Sequence, residues 1–184
     1  METELKQAQN KLTKIVLFGP ESTGKTTLAK TLAQQYNTQW VPEFARTYLQ
    51  KKYNDSAEIC EPSDLMPIVK GQIQSENKLA QQAYQFLFCD TNSLQTWVYA
   101  KVYYEDFHNP TLEACVNQHH YDYYFLNYID TPWVEDDLRD KPHERKSMFL
   151  IFENELIKRN LPYTILKGSL KERLKKAETI LKTL

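Results

Sequence analysis

Glycine and cysteine are both scarce in this sequence, which has four glycines and three cysteines among 184 residues. The cysteines (Cys60, Cys89 and Cys115) are odd in number and include no C-x-x-C pair, which argues against a disulfide framework and against a zinc site. Such cysteine usage is typical of a reducing cytoplasm, where we expect the chain to act. Cys89 lies within an apolar run and is expected to be a small core residue.

The sequence also lacks a charge imbalance and a long apolar segment. Its formal net charge is −1, so no overall field attracts DNA, RNA or an acidic membrane. Its apolar runs are far shorter than the roughly 20 residues that cross a bilayer, and its first residues do not form a signal-peptide pattern. We therefore expect a small-molecule partner, with no nucleic acid and no membrane. The sequence leaves the oligomeric state open.

Two of the few glycines, Gly19 and Gly24, occupy the defined positions of a phosphate-binding loop. Residues 19–26 read GPESTGKT and match the P-loop pattern G-x-x-x-x-G-K-[ST], between a strand-like run and a helical pattern. The backbone amides of such a loop surround a phosphate. Lys25 can reach the β- and γ-phosphates, and the Thr26 hydroxyl can bind Mg²⁺. The loop residues expected to bind ATP are Gly19, Glu21, Ser22, Thr23, Gly24, Lys25, Thr26 and Thr27.

Short apolar segments alternate with helical patterns along the rest of the chain. Strands are predicted at 14–18, 39–41, 85–89, 123–126 and 163–166, and helices around 62–83, 93–105, 145–160 and 170–184. This alternation predicts an α/β P-loop NTPase fold, with a five-stranded parallel sheet and helices on both faces. Residues 1–12 are a polar lead-in that we expect to fray, and residues 13–184 are predicted to be one P-loop kinase domain.

Ligands bind at the carboxyl ends of the strands in such sheets, so polar residues directly after a strand are candidates for the active site. Glu43 and Arg46 follow the second strand and share one face of a predicted helix. Asp90 ends the third strand and, with Thr26, is a candidate Mg²⁺ ligand. Either Glu43 or Asp90 could accept the proton of an attacking hydroxyl. The structural alternative for Glu43 is a salt bridge at the start of a helix, and the structural alternative for Asp90 is a helix N-cap.

Residues 130–140 follow the fourth strand and are dense in charge. We predict a lid here, because phosphoryl transfer requires that water is excluded and that the charge on the transferred group is neutralised. The alternative is a solvated acidic loop. Arg139, or Arg145 beyond it, is the candidate cation. Gly168 follows the fifth strand, where it is either part of an adenine-binding turn or a simple connection.

Aromatic and imidazole side chains give weaker signals. Trp40, Trp97 and Trp133 lie near predicted strand ends or the lid. Aromatic faces beside carboxylates such as Glu43 and Asp136 would suit a flat cationic ring, although core packing explains each tryptophan equally well. The four histidines lack a metal-ligand spacing and are expected at the surface.

These motifs together resemble the ribosylnicotinamide kinase domain of NadR-type proteins. The resemblance rests on the P-loop, on VPEFAR at 41–46, on DTN at 90–92 and on D-x-P-W-x-x-D-x-x-R-D at 130–140. It implies phosphoryl transfer from MgATP to the ribose 5′-hydroxyl of nicotinamide riboside, giving nicotinamide mononucleotide. By this resemblance the catalytic residues are Lys25, Glu43, Asp90 and Arg139, and the substrate-binding residues are Glu43, Arg46, Asn92, Trp133 and Asp136.

Two other functions stay open. One is a kinase for another nucleoside or nucleotide, although an acceptor that already bears a phosphate would need a stronger arginine cluster near Arg46. The other is a regulatory ATPase without an acceptor. NadR-type proteins often carry a nucleotidyltransferase domain and sometimes a DNA-binding domain. The sequence shows no H-x-G-H motif, and residues 1–12 are too few for a DNA-binding domain, so we expect neither activity.

Overall fold

A computed structural model of the chain describes residues 3–139 and 142–184. Its strands and longer helices are, in chain order, β1 (Thr13–Phe18), α1 (Lys25–Gln35), β2 (Gln39–Val41), α2 (Phe44–Ser56), α3 (Leu65–Ala80), β3 (Phe86–Asp90), α4 (Ser93–Tyr103), α5 (Pro110–Gln118), β4 (Tyr123–Asn127), α6 (Arg145–Lys158), β5 (Tyr163–Leu166) and α7 (Leu170–Leu181). None of the described helices combines the length and the apolar character needed to cross a bilayer.

The five strands form one sheet in the order β2-β3-β1-β4-β5, and every neighbouring pair is parallel. The predicted fold class is therefore confirmed. All carboxyl ends lie at the same edge of the sheet. Because β1 is central, the P-loop that follows it is flanked by the segments that follow β3 and β4.

Helices cover both faces of the sheet, as expected. In β1, Val16 and Phe18 pack into a cluster that includes residues from α3, α4, α5 and α6. Ile15 and Leu17 point the other way and pack against α1 and α7. All four side chains are fully buried, which explains why the strand reads as a continuous apolar run and not as an alternating pattern.

The structure corrects three expectations. Helix α5 was not predicted, although Asn109 caps its N-terminus and Pro110 is its first residue. The N-terminal segment that we expected to fray is packed on the domain over its described part, where Leu5 is 3% exposed and Gln7 donates to Glu76 at 2.7 Å. His119 is buried, and its ring lies 2.8 Å from the Leu5 carbonyl oxygen. Conversely, Cys89 is a core residue, as predicted.

Candidate active site

The P-loop connects β1 to α1 through three residues with positive φ, namely Gly19 at 124°, Ser22 at 53° and Gly24 at 80°. A Cβ atom at Gly19 would lie 3.0 Å from the backbone oxygen of Asn127, so this position requires glycine on both grounds. Left-handed residues followed by a helix N-terminus produce a concave run of backbone amides. The loop therefore has the geometry of an anion-binding nest.

Lys25 begins α1 and is only 7% exposed. Its Nζ donates to the backbone oxygens of Gly19 at 2.9 Å and Pro20 at 2.8 Å, so the ammonium group lies against the first residues of the loop. Phosphate oxygens are stronger acceptors than these neutral carbonyls because they carry charge. Lys25 is thus placed to exchange its loop contacts for a phosphate.

Thr26 and Asp90 meet because β1 and β3 are neighbours. Thr26 Oγ1 donates to Asp90 Oδ2 at 2.6 Å. Asp90 is 1% exposed, and its Oδ1 has no hydrogen-bond partner among the described residues. Burial raises the pKa of this carboxyl, although Lys25 and Thr26 oppose the rise. A buried carboxylate with one unpaired oxygen beside a hydroxyl offers the hard oxygen ligands that Mg²⁺ prefers.

Glu43 follows β2 and occupies the N-cap position of α2, but its side chain makes no capping hydrogen bond. Burial raises the pKa of Glu43 to about 7. The charges of Asp90 and Glu21 raise this pKa further, whereas those of Lys25 and Arg46 lower it. A carboxylate that titrates near neutral pH is suited to general-base catalysis, and here it lies beside the P-loop lysine.

Arg46 reaches the lid segment, where its Nη1 donates to Asp136 Oδ1 at 2.9 Å. Arg139 Nε lies 3.0 Å from the other oxygen of the same carboxylate. Burial disfavours the charged form of Asp136, but the hydrogen bonds from Arg46 and the Leu138 amide, together with the charges of the two arginines, outweigh it and lower the pKa of this carboxyl. Arg139 also donates to the Val134 carbonyl at 2.6 Å, so its hydrogen bonds to described residues stay within the lid.

The predicted lid lies on the P-loop through Ser22; its last residue, Asp140, falls outside the described part of the chain. Ser22 Oγ accepts a hydrogen bond from the Val134 amide at 2.9 Å. The Ser22 carbonyl oxygen accepts from Thr131 Oγ1 at 2.5 Å and from Arg145 Nη2 at 3.0 Å. Arg145, and not Arg139, is therefore the arginine of this region that contacts the P-loop.

A small aromatic pocket lies beside the P-loop and is lined by Pro20, Glu21, Tyr99, Tyr103, Trp133, Arg145 and Met148. The Arg145 guanidinium lies 5.7 Å from the centre of the Trp133 ring. Trp133 is thus the one tryptophan of the three that the structure places here. Trp97 belongs to the core, and Trp40 packs under Lys30 of α1.

Sequence reasoning missed Tyr99 and Tyr103. They lie four residues apart on α4, a spacing that places both on one face of the helix. Helix α4 starts three residues after Asp90, at the carboxyl edge of the sheet where ligands bind. Two tyrosines on one face of this helix were therefore a sequence signal for pocket residues.

Asn92 makes structural contacts, and its contact with substrate stays a prediction. Its Oδ1 accepts from the Gln95 amide at 3.3 Å and so caps α4. Its Nδ2 donates to the Tyr124 hydroxyl at 3.0 Å, and the residue is 2% exposed. Both the oxygen and the nitrogen of this amide therefore have a partner within the protein.

Gly168 forms the turn between β5 and α7 with a φ of 90°. Its N–H donates to Asp130 Oδ2 at 2.6 Å, and a Cβ atom here would lie 2.5 Å from Glu172 Oε2. The turn is therefore joined to the base of the lid. Its contact with adenine stays a prediction.

Comparison with known proteins agrees with this architecture. Residues 14–173 match the model of a family described as an AAA domain. Over 125 residues, or 68% of the chain, the sequence is 30% identical to the trifunctional NAD biosynthesis/regulator protein NadR of Salmonella typhimurium and of Escherichia coli. The aligned region spans 30% of the length of those two proteins. The resemblance to NadR-type proteins is thereby confirmed.

Two solved structures share the fold. A NadR protein in complex with NR superimposes with a TM-score of 0.81 at 22% identity, over 94% of this chain and 51% of that one. A NadR protein in complex with NAD and AMP-PNP gives a TM-score of 0.78 at 20% identity, over 94% and 49% of the two chains. The chain therefore spans about half the length of these proteins.

Proposed function

Since the chain belongs to the AAA_28 family of AAA domains, we propose that it is an ATP-dependent kinase that phosphorylates the ribose 5′-hydroxyl of nicotinamide riboside to give nicotinamide mononucleotide. The 30% identical relatives are named for NAD biosynthesis, and solved NadR proteins bind NR and AMP-PNP. The proposal covers this kinase reaction and no other activity of those longer proteins.

The observation that carries the proposal is the position of Glu43. This carboxyl, with a pKa of about 7, interacts electrostatically with Lys25 of the P-loop and with Tyr99 of the aromatic pocket. A hydroxyl group held between the pocket and the P-loop would therefore have a proton acceptor and a phosphate donor together. A regulatory ATPase needs no such acceptor pocket.

The side chains around the pocket suit the base of the proposed acceptor. Trp133, Tyr99 and Tyr103 offer aromatic faces for a flat ring, and Glu21 supplies a negative charge. A pyridinium is flat and positively charged, so both features favour it. A phosphate-bearing acceptor would need an arginine cluster near Arg46, but Arg46 is already paired with Asp136, and Arg145 is bonded to the Ser22 carbonyl.

Thr26 and Asp90 would hold Mg²⁺, because the unpaired Asp90 Oδ1 and the adjacent hydroxyl fit its preference for oxygen ligands. When bound, Mg²⁺ neutralises charge on the phosphates. The described residues contain no cluster of three or more His, Cys, Asp or Glu side chains able to hold a metal ion. This agrees with a Mg²⁺ site completed by substrate phosphates and water.

In the proposed reaction, Glu43 accepts the proton of the 5′-hydroxyl as the hydroxyl oxygen attacks the γ-phosphorus of ATP. The bond from the γ-phosphorus to the bridging oxygen breaks, and ADP leaves. Lys25 and Arg145 stabilise the negative charge of the transferring group, and the lid excludes water. We assign the lid cation to Arg145 because it contacts the P-loop, whereas Arg139 is turned towards Asp136.

The decisive experiment measures ADP release by the purified protein with MgATP, with and without nicotinamide riboside, and determines the product mass. We expect riboside-dependent ADP release and a product heavier by one phosphoryl group. Adenosine, deoxyadenosine, cytidine and thymidylate are the matched alternative acceptors, and GTP is the alternative donor. Slow ADP release that no acceptor changes would contradict the kinase reaction and indicate a regulatory ATPase.

A further inference from the structure

Arg173 lies on α7 at a distance of 150 residues along the chain from the P-loop, yet it contacts that loop directly. Its side chain is 3% exposed. Its Nη1 donates to the carbonyl oxygen of Thr23 at 2.6 Å, and Asn127 Nδ2 donates to the same oxygen at 3.2 Å. Thr23 directly precedes Gly24 and Lys25, the defining residues of the motif.

The same guanidinium also joins the other two segments at this edge of the sheet. Its Nε donates to the Gly168 carbonyl at 3.0 Å, in the turn after β5. Its Nη2 donates to the Tyr128 carbonyl at 3.1 Å and to the Asp130 carboxylate, both after β4. A planar group with five donors can serve acceptors in several directions, whereas a lysine ammonium ends in a single nitrogen.

The contact with Thr23 determines the direction of a neighbouring amide. A trans peptide unit is planar, with its C=O and N–H pointing in opposite directions, and the chain has no cis peptide among its described residues. Since Arg173 and Asn127 hold the Thr23 carbonyl on their side of the loop, the Gly24 N–H must point to the opposite side. A Cβ atom added to Gly24 would lie 3.9 Å from Arg173 Nη1, which shows how closely the guanidinium lies behind this residue.

The preceding peptide is held in the same way. The Ser22 carbonyl accepts hydrogen bonds from Thr131 and Arg145, so the Thr23 N–H also points away from these donors. Two consecutive peptides are thus held by side chains of other segments. If either rotated, a carbonyl oxygen would replace an amide hydrogen beside the phosphates, and its partial negative charge would repel them.

We propose that Arg173 is a positioning residue of the phosphate-binding loop, which fixes the Thr23–Gly24 peptide so that the Gly24 amide is available to an anion. Its bonds to Gly168 and Asp130 hold this orientation rigidly against the turn after β5 and the base of the lid. The proposal rests on triphosphate binding by the P-loop and is independent of which acceptor the protein phosphorylates.

Inorganic tripolyphosphate is the probe that isolates this effect, because it has no adenine and needs no acceptor. The chain has four glycines, so protein labelled with ¹⁵N-glycine gives four backbone amide signals, one of which reports on Gly24. In the unmodified protein we expect this signal to move downfield as tripolyphosphate is added. In Arg173→Met we expect affinity for tripolyphosphate to fall on the order of tenfold, with a much smaller movement of the Gly24 signal.

Arg159→Met is the matched control, because Arg159 directly follows α6 and bonds to Glu155 and Asn117, away from the P-loop. Arg173→Lys, which keeps the charge, should recover part of the affinity. If Arg173→Met does not fold because Asp130 is left unpaired, the double variant with Asp130→Asn removes that charge. A folded variant that binds tripolyphosphate within twofold of the unmodified protein, or an equal loss in Arg159→Met, would overturn the proposal.

Discussion

Glu43 combines partial burial with a functional position, and its protonation should control activity. Its pKa of about 7 means that the proton-accepting form is lost as pH falls through that value. We expect kcat/KM for the acceptor to decrease below about pH 7. Glu43→Gln should lower kcat by about 10²–10⁴-fold and remove this pH dependence.

The check is a series of initial rates between pH 5.5 and 9, with Asp90→Asn as the comparison. Asp90→Asn should also lower kcat, but through Mg²⁺, so its loss should shrink at high Mg²⁺ concentration. If Asp90→Asn removes the pH dependence and Glu43→Gln retains it, then Asp90 is the base and our assignment is wrong.

The raised pKa of Glu43 also has a consequence for stability. Between its ordinary value near 4.5 and about 7, the folded protein binds a proton that the unfolded chain releases, so the free energy of unfolding falls as pH rises through this range. In Glu43→Gln the side chain is neutral, so folding does not move a charge out of water at high pH. We expect it to be more stable than the unmodified protein at pH 8, by on the order of 1–2 kcal/mol, and nearly equal to it at pH 4.

Urea unfolding without nucleotide at both pH values measures this difference. Glu135→Gln is the control, because Glu135 is an exposed carboxylate of the lid. If Glu43→Gln is instead less stable than the unmodified protein at pH 8, then the ionised Glu43 carboxylate stabilises the folded state, which contradicts this prediction.

At the scale of elements, the lid and the start of α6 each carry one arginine, and the two arginines make different contacts. Arg145 contacts the Ser22 carbonyl and the Trp133 ring, whereas Arg139 bonds to Asp136 and Val134. We expect Arg145→Met to lower kcat by about 10²–10³-fold, the effect of losing one charge-stabilising donor. Arg139→Met should lower it less than tenfold and act mainly on KM for the acceptor.

Steady-state kinetics with both substrates varied distinguishes the two variants. Lys146→Met, at an exposed position next to Arg145, controls for loss of positive charge in this region. A larger kcat loss in Arg139→Met would show that the lid rearranges to bring Arg139 to the phosphates.

Helix α5 was not predicted because its sequence gives only a weak helical signal. Its nine residues carry only two buried side chains, Leu112 and Cys115, so its apolar stripe is too short to be distinguished from a loop. The strands were found to within about a residue. In β1, β3 and β4 this is because burial on both faces requires a continuous apolar run.

For the molecule as a whole, nucleotide binding should raise stability. A ligand present at about 100 times its Kd adds about 2.7 kcal/mol to the free energy of unfolding, which corresponds to about 5–10 °C in Tm for a chain of this size. We expect MgATP to give such a shift and Lys25→Met to remove most of it. Lys51→Met, at an exposed position of α2, should respond like the unmodified protein.

Differential scanning fluorimetry with and without MgATP provides this measurement. The quantity to compare is the shift in Tm on adding MgATP, since Lys25 also bonds to Gly19 and Pro20 and its replacement changes the Tm without ligand. An undiminished shift in this variant would contradict the role of the P-loop.

The sequence by itself determined phosphate binding, because a P-loop is made by consecutive residues whose backbone conformations are encoded locally by Gly19 and Gly24. It also determined the α/β class, since periodicity is a local property, and it placed Glu43 and Asp90 at the sheet edge. Tertiary structure alone decided the strand order, which any alternating sequence leaves undetermined. It also decided which charges meet: the pairing of Asp136 with Arg46, and the contact of Arg173 with Thr23, depend on packing between distant segments that no local pattern records.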